Sequence, residues 1–437
     1  VLLFFGKEIY RLKPPIPERV VSETGEVLFT AQQIKDGQNV WQSIGGQQVG
    51  TVWGHGAYLA PDWSADWLHR ESQTILGEWS EREFGLPFGD LAQEKQAMLE
   101  VRLQKALRAN TYDTQAGILR LTADRVNAIK INAAYYTGLF MDDPSLENLR
   151  EAYSIPANTI KEKGRMDAMN AFFFWAAWAC VTERPGSELT YTSNWPPDPV
   201  IGNKPSAGVV LWTGFSVIML LVGVGLLAYY NARNRSDVLD KSLLPQDDPL
   251  GGLNPTPSMK AVLKYYWVVV GLILVQILTG VVTAHFGVEG NSFYGLTLDN
   301  IMPYSIARTW HIQLALFWIA TSWLAAGLYI APAVSGHEPK FQKFGVNLLF
   351  FALLVIVVGS LAGEWMGVMQ KLGLVKNFWF GHQGYEYVDL GRFWQIFLFA
   401  GFLIWLFLMF RALWPALIKK SESRELLILF SIATVAI

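Results

Sequence analysis

The sequence predicts a mainly α-helical protein, a polytopic transmembrane helical bundle preceded by an extracytoplasmic, mostly helical domain. Of its 437 residues, 51% are hydrophobic and only 16% are charged, whereas soluble proteins carry about 25% charged residues. From residue 206 onward, long apolar segments follow one another, and a helix needs about 20 such residues to cross a bilayer. Residues 6–205 instead mix polar and apolar side chains between the proline-rich stretches KPPIPER and NWPPDPV.

Helical apolar spacing recurs within residues 6–205. It predicts helices over 62–84, 90–109, 122–140 and 164–182. The first should begin at the N-cap Asp62 and the third at the N-cap Thr122, and the last should be buried or face the membrane. Because few runs alternate between polar and apolar residues, we expect little β-structure here.

The apolar segments predict several membrane crossings. They cover residues 206–230, 261–283, 305–331, 344–362 and 393–414, with a partial segment at 425–437. Residues 1–5 resemble the last turn of a hydrophobic helix that begins earlier, and the final segment stops about half way across a bilayer. We therefore expect the sequence to begin and end inside helices.

Basic residues concentrate in alternate loops, which predicts the orientation. The loops 231–264, 332–343 and 415–424 carry Arg233, Arg235, Lys241, Lys260, Lys264, Lys340, Lys343, Lys419, Lys420 and Arg424. Loops rich in lysine and arginine face the cytoplasm, so residues 6–205 and the loops 284–304 and 363–392 should lie outside. A net charge of −2 suggests no nucleic-acid partner. The single cysteine, Cys180, excludes an internal disulfide and is predicted to be a buried thiol.

His311 lies in RTWHIQLALFW, inside a predicted membrane segment. A histidine at this depth is costly unless it has a partner, which makes it a functional candidate. It could be an axial haem ligand, since imidazole binds iron, or it could bond a neighbouring helix. Arg308 lies one turn earlier, where it could meet a haem propionate or simply mark the membrane interface.

Two further candidate groups lie at the outer ends of membrane segments. His285 and Glu289 in TAHFGVEG are four residues apart and would share a helix face. Such a pair could accept protons from a quinol, with Phe293 packing on the ring, or could be ordinary interfacial residues. Glu364 in AGEWMG could form a cap or a salt bridge, or bind a hard cation through oxygen.

Several blocks resemble the bacterial nitric oxide reductases of the haem–copper oxidase superfamily. These blocks are RTWHIQLALFWIATSWLAAGLYIAP, GEWMG and GHQGYEYVDLGRFWQ. The region before them resembles the cytochrome c subunit of the same enzymes, fused onto one chain. That fusion resembles the quinol-dependent branch, which reduces two NO to N2O and water in the bacterial cell membrane.

The resemblance implies particular residue roles. His311 would be an axial ligand of low-spin haem b, with Arg308 at a haem propionate. His285, Glu289 and Phe293 would bind quinol. Calcium would be held by Glu364, by Tyr58 and by the carbonyl of Gly56. It also implies the lipid bilayer and the rest of the catalytic bundle as partners, and it leaves room for a homodimer.

The sequence departs from the resembling family at two places. Where the family's cytochrome subunits carry C-x-x-C-H, the aligned residues 43–47 read SIGGQ, so we expect no haem c. The family also needs further histidines for a high-spin haem b and a non-haem iron, but only His311 of six histidines fits. We therefore expect that centre beyond residue 437. The alternatives are a quinol oxidase that reduces O2 and a non-catalytic scaffold subunit.

Overall fold

The computed structural model describes residues 2–233, 251–293, 295–384, 388–419 and 424–436. The loop residues Arg235, Lys241 and Lys420, and the ends of the predicted segments 1–5 and 425–437, lie outside these ranges. The chain divides into two compact units. One comprises Val1–Asn234 with Phe286–Ser305, and the other comprises Arg235–His285 with Ile306–Ile437.

The first unit contains a small sheet that the sequence pattern did not predict. Its strands are β1 (Arg19–Ser22), β2 (Val27–Thr30), β3 (Tyr112–Asp113) and β4 (Ile118–Leu121). They are ordered β2-β1-β4-β3, with β1 antiparallel to β2 and parallel to β4. Strands of two to four residues are too short to show a clear period of two, so the sequence pattern does not indicate this sheet.

Helices make up most of the first unit, as predicted. They are α1 (Leu2–Leu12), α2 (Ala31–Ser43), α3 (Gly46–Val49), α4 (Trp63–Phe84), α5 (Gln93–Arg108), α6 (Ala123–Phe140), α7 (Glu147–Ala152), α8 (Lys163–Val181) and α9 (Ala207–Arg233). Asp62 caps α4 by accepting a hydrogen bond from the Ala65 amide. Thr122 precedes α6, but its side chain forms no capping bond there. The helix α2 was not predicted, although Thr30 and Gln33 form a capping box at its start.

Helix α8 is the core of the first unit. Every residue from Ala168 to Val181 is buried, which settles the alternative between a buried and a membrane-facing helix. Phe173 lies against Trp63 and Tyr136 from neighbouring helices, with ring centroids 6.1 and 5.4 Å away. Cys180 is fully buried in this helix, as predicted. Burial of these aromatic rings supplies much of the apolar stabilisation of the unit.

Helix α10 (Pro257–Glu289) is followed by a short hairpin of β5 (Ser292–Phe293) and β6 (Leu296–Thr297). The second unit continues with α11 (Tyr304–Ser335), α12 (Gln342–Val368), α13 (Leu374–Phe380), α14 (Arg392–Ile418) and α15 (Arg424–Ala436). Within the described residues, α9, α10, α11, α12 and α14 are long and apolar enough to span a membrane. The predicted mainly α-helical class with several membrane-spanning segments is therefore confirmed, whereas the side of the membrane on which residues 6–205 lie stays a prediction.

Candidate functional site

His311 lies on α11, and its ring contacts the backbone of α10. Its Nδ1 atom is 2.9 Å from the carbonyl oxygen of Gln276. A carbonyl oxygen can only accept a hydrogen bond, so Nδ1 carries the proton and donates. In the neutral imidazole, Nε2 then keeps its lone pair, which is the state that a histidine needs to bind a metal.

Gly280 makes room on α10 for the His311 ring. A Cβ atom at this position would lie 2.7 Å from Cε1 and 2.9 Å from Nδ1 of His311. Both distances are shorter than real Cβ contacts, so the close approach of the imidazole requires glycine here. Gly280 therefore belongs to the His311 site, although the sequence reading did not single it out.

The residues around His311 fit an axial haem ligand. The imidazole is half-buried. Its Nδ1 atom already has a backbone partner, as is usual for the nitrogen that does not bind the metal in a metal-bound histidine. Arg308, also half-buried, precedes it by three residues on the same helix, so the two side chains share a face. The role of Arg308 at a haem propionate stays a prediction.

Helix α10 ends at Glu289, so His285 and Glu289 lie four residues apart on one helix, as the sequence reading required. His285 is half-buried and Glu289 is exposed. Phe293 does not continue the helix, because Gly290 has a positive φ of 75° and the chain then enters β5. The side chain of Phe293 lies outside the described atoms, and quinol binding by these residues stays a prediction.

Glu364 lies near the end of α12 and is completely buried. Neither of its carboxylate oxygens has a hydrogen-bond partner among the described residues. The buried Asp389 is close enough to Glu364 for the two carboxylates to interact electrostatically. Burying an unpaired carboxylate costs several kcal/mol, and a bound cation would offset this cost. Glu364 therefore fits a hard, oxygen-binding cation such as calcium.

The described residues contain no group of three or more His, Cys, Asp or Glu side chains that could hold a metal ion. Glu364 could therefore supply only part of a calcium site. Gly56 and Tyr58 belong to the first unit, and their role as calcium ligands stays a prediction. Tyr58 is 92% exposed, and Gly56 has a positive φ of 83°.

The glycine-rich segment that contains Gly56 is organised by Asp62. One carboxylate oxygen of Asp62 accepts bonds from the Thr51 hydroxyl at 2.7 Å and from the Gly54 amide at 2.6 Å. The Gly56 amide in turn donates to the Thr51 hydroxyl at 2.8 Å. Since Asp62 also caps α4, a single carboxylate ties this segment to the start of that helix.

His382 is a buried histidine that the sequence analysis did not single out. It lies after α13, and its Nδ1 accepts a bond from the Gly384 amide at 3.0 Å. Its Nε2 is 2.8 Å from the Thr309 hydroxyl and 3.8 Å from a carboxylate oxygen of Asp389. The contact joins residues 73 positions apart and leaves no local sequence signal.

Together, these features define a polytopic helical membrane protein with a histidine suited to metal ligation. Residues 17–197 match the family described as the cytochrome c-like domain of the nitric oxide reductase NorB. Residues 260–437 match the family described as cytochrome c and quinol oxidase polypeptide I. A comparison with curated proteins gave no match.

The two matches cover successive parts of one chain. The chain belongs to the haem–copper oxidases of the NorB type, with the cytochrome c-like domain fused ahead of the oxidase bundle. Membership of this superfamily implies an oxidoreductase with haem cofactors.

Proposed function

We propose that this protein is part of a quinol-dependent nitric oxide reductase. Quinol would release two electrons and two protons, and two NO would take up two electrons and two protons to give N2O and water. The observation that carries the proposal is the sequence SIGGQ at residues 43–47, within a domain of the cytochrome c-like family. A domain without thioether cysteines cannot hold a covalent haem c, so electrons would enter from the membrane.

His311 is proposed as an axial ligand of low-spin haem b. The protonated Nδ1 and the available Nε2 support this role. Haem b, when bound, would accept and pass on single electrons. Arg308 is proposed to hold a propionate by a charge-assisted hydrogen bond. A high-spin haem b and a non-haem iron belong to the proposed enzyme, but we assign no described residue to them.

His285 and Glu289 are proposed to bind quinol and accept its protons. Their spacing on α10 supports a shared role, since imidazole and carboxylate can each take a proton near neutral pH when suitably placed. Phe293 is proposed to contact the quinol ring. The domain of residues 6–205 would then lie on the extracytoplasmic side of the bacterial cell membrane.

Glu364 is proposed as a calcium ligand, supported by its buried carboxylate, which has no hydrogen-bond partner among the described residues. Gly56 and Tyr58, in the first unit, are also proposed as calcium ligands. Replacing Glu364 by Gln should lower the calcium content of the purified protein, measured by elemental analysis. Unchanged calcium content would remove Glu364 from the ligand set.

The haem assignment is tested with His311→Ala in the full-length holoenzyme. The low-spin haem spectrum should disappear, whereas replacement of the exposed His337 by Ala should leave it unchanged. A wild-type low-spin spectrum in His311→Ala would refute the assignment.

The quinol assignment is tested with Glu289→Ala. Quinol-driven NO reduction should slow, while turnover with an artificial one-electron donor is spared. Equal loss with both donors would mean that Glu289 is structural. Consumption of O2 without consumption of NO would identify a quinol oxidase instead.

A further inference from the structure

Gln276 on α10 contacts α11 at two levels. Its carbonyl oxygen accepts the Nδ1–H bond of His311 at 2.9 Å. Its side-chain oxygen Oε1 accepts a bond from Nε1 of Trp318 at 2.7 Å. Polar groups inside membrane segments are costly unless they are hydrogen-bonded, and Gln276 meets this requirement with partners from the same neighbouring helix.

The two partners of Gln276 are related by the geometry of α11. His311 and Trp318 are seven residues apart, which is close to two helical turns, so they lie on one face. An indole N–H can only donate, so Trp318 is the donor of this bond and Oε1 of Gln276 is its acceptor. Both bonds together limit sliding or rotation of α11 against α10 at the level of His311.

We infer that Gln276 and Trp318 are positioning residues that orient His311 as a haem ligand. The inference rests on the proposed function, because it assumes that His311 binds haem. The Gln276–Trp318 bond keeps the Gln276 carbonyl at the Nδ1 edge of the imidazole, which in turn keeps Nδ1 protonated and Nε2 available to iron. Bonds of this kind make a histidine ligand more basic, and their loss typically weakens metal binding by 10- to 100-fold.

Two variants remove the hydrogen bond between Gln276 and Trp318, each by changing one of the two partners. Trp318→Phe keeps an aromatic ring but loses the N–H, and Gln276→Met keeps a chain of similar length but loses the acceptor. Each should retain low-spin haem b but release it roughly 10-fold faster. A less basic ligand stabilises ferric haem less, so the reduction potential should rise, by about 59 mV for each tenfold change in a one-electron equilibrium.

The matched control is Trp405→Phe. Trp405 also donates its indole N–H to α11, to the carbonyl of Leu324 at 3.0 Å, but at a level remote from His311 in sequence. This variant loses an equivalent bond and should keep the wild-type spectrum and potential. The double variant of Gln276 and Trp318 should show no larger effect than either single variant, because both remove the same bond.

The outcomes separate this inference from the haem assignment. If His311→Ala loses the low-spin haem while Trp318→Phe and Gln276→Met keep wild-type haem release and potential, the positioning role is wrong and the haem assignment stands. If His311→Ala keeps the low-spin haem, both the haem assignment and the positioning role are wrong. Equal shifts in Trp405→Phe and Trp318→Phe would also overturn the positioning role, since any lost indole bond would then suffice.

Discussion

Replacing Gly280 by Ala should displace the proposed haem ligand without removing it. The added methyl group would lie 2.7 Å from Cε1 of His311, whereas ordinary contacts begin at 3.4 Å. The ring must therefore retreat by about 0.7 Å, the difference between these two distances. Because the residue that clashes is the one expected to bind iron, the substitution should change haem binding.

The size of the effect follows from the hydrogen bond that the ring would lose. A shift of this size would lengthen the Nδ1 contact to the Gln276 carbonyl from 2.9 Å towards about 3.6 Å, which is beyond a hydrogen bond. Such a bond contributes about 1 kcal/mol net, equivalent to roughly a 5-fold change in an equilibrium constant. We therefore expect haem b occupancy to fall roughly 5-fold at limiting haem.

The assay is the haem-to-protein ratio of the purified holoenzyme, together with its low-spin absorption spectrum. Gly271→Ala on the same helix is the matched control, because a Cβ there meets nothing within 4 Å. Alanine also favours a helix by up to about 1 kcal/mol over glycine, so the control should be as stable as wild type or more so. Normal haem content in Gly280→Ala would refute the proposed contact between α10 and His311.

Three further predictions concern stability and reactivity. The Glu71–Arg125 ion pair is 2.6 Å long with both side chains buried. Glu71→Leu should lower the free energy of unfolding by about 3–5 kcal/mol and the Tm by about 10 °C in a fluorescence melt. Replacing both residues by Leu should restore most of the lost stability. Burial raises the pKa of the Cys180 thiol to about 12, so maleimide at pH 8 should label it only after unfolding, and labelling of the folded protein would contradict its burial. Because this pKa is raised from the ordinary 9.0, the stability that the protonated thiol contributes is complete below pH 9 and is lost as the pH rises towards about 12. Gly363→Ala would overlap the last backbone carbonyl of α13 and should lower stability by about 1–3 kcal/mol, whereas Gly373→Ala, which meets open space, should not. Equal melting of these two variants would argue against the packing of α13 on α12.

The fold class of this protein could largely be predicted from local sequence. A run of apolar residues of bilayer length forms a helix in lipid whatever it packs against, because no other open-ended element satisfies its backbone there. The same reasoning singled out His311, since an intramembrane histidine is costly without a partner. Gln276 carries the same signal, because it is a polar residue in an apolar segment, and this signal points to the site around His311.

Composition and short-range spacing were sufficient to predict the helical membrane class, the polar domain ahead of the bundle and the candidate histidine. Packing between helices instead sets the proton position on His311, the need for glycine at position 280 and the complete burial of Glu364. Each depends on groups that are distant along the chain, such as Gln276 and His311, which are 35 positions apart. No periodicity records which carbonyl a ring will meet, so the chemistry of the site is decided by packing.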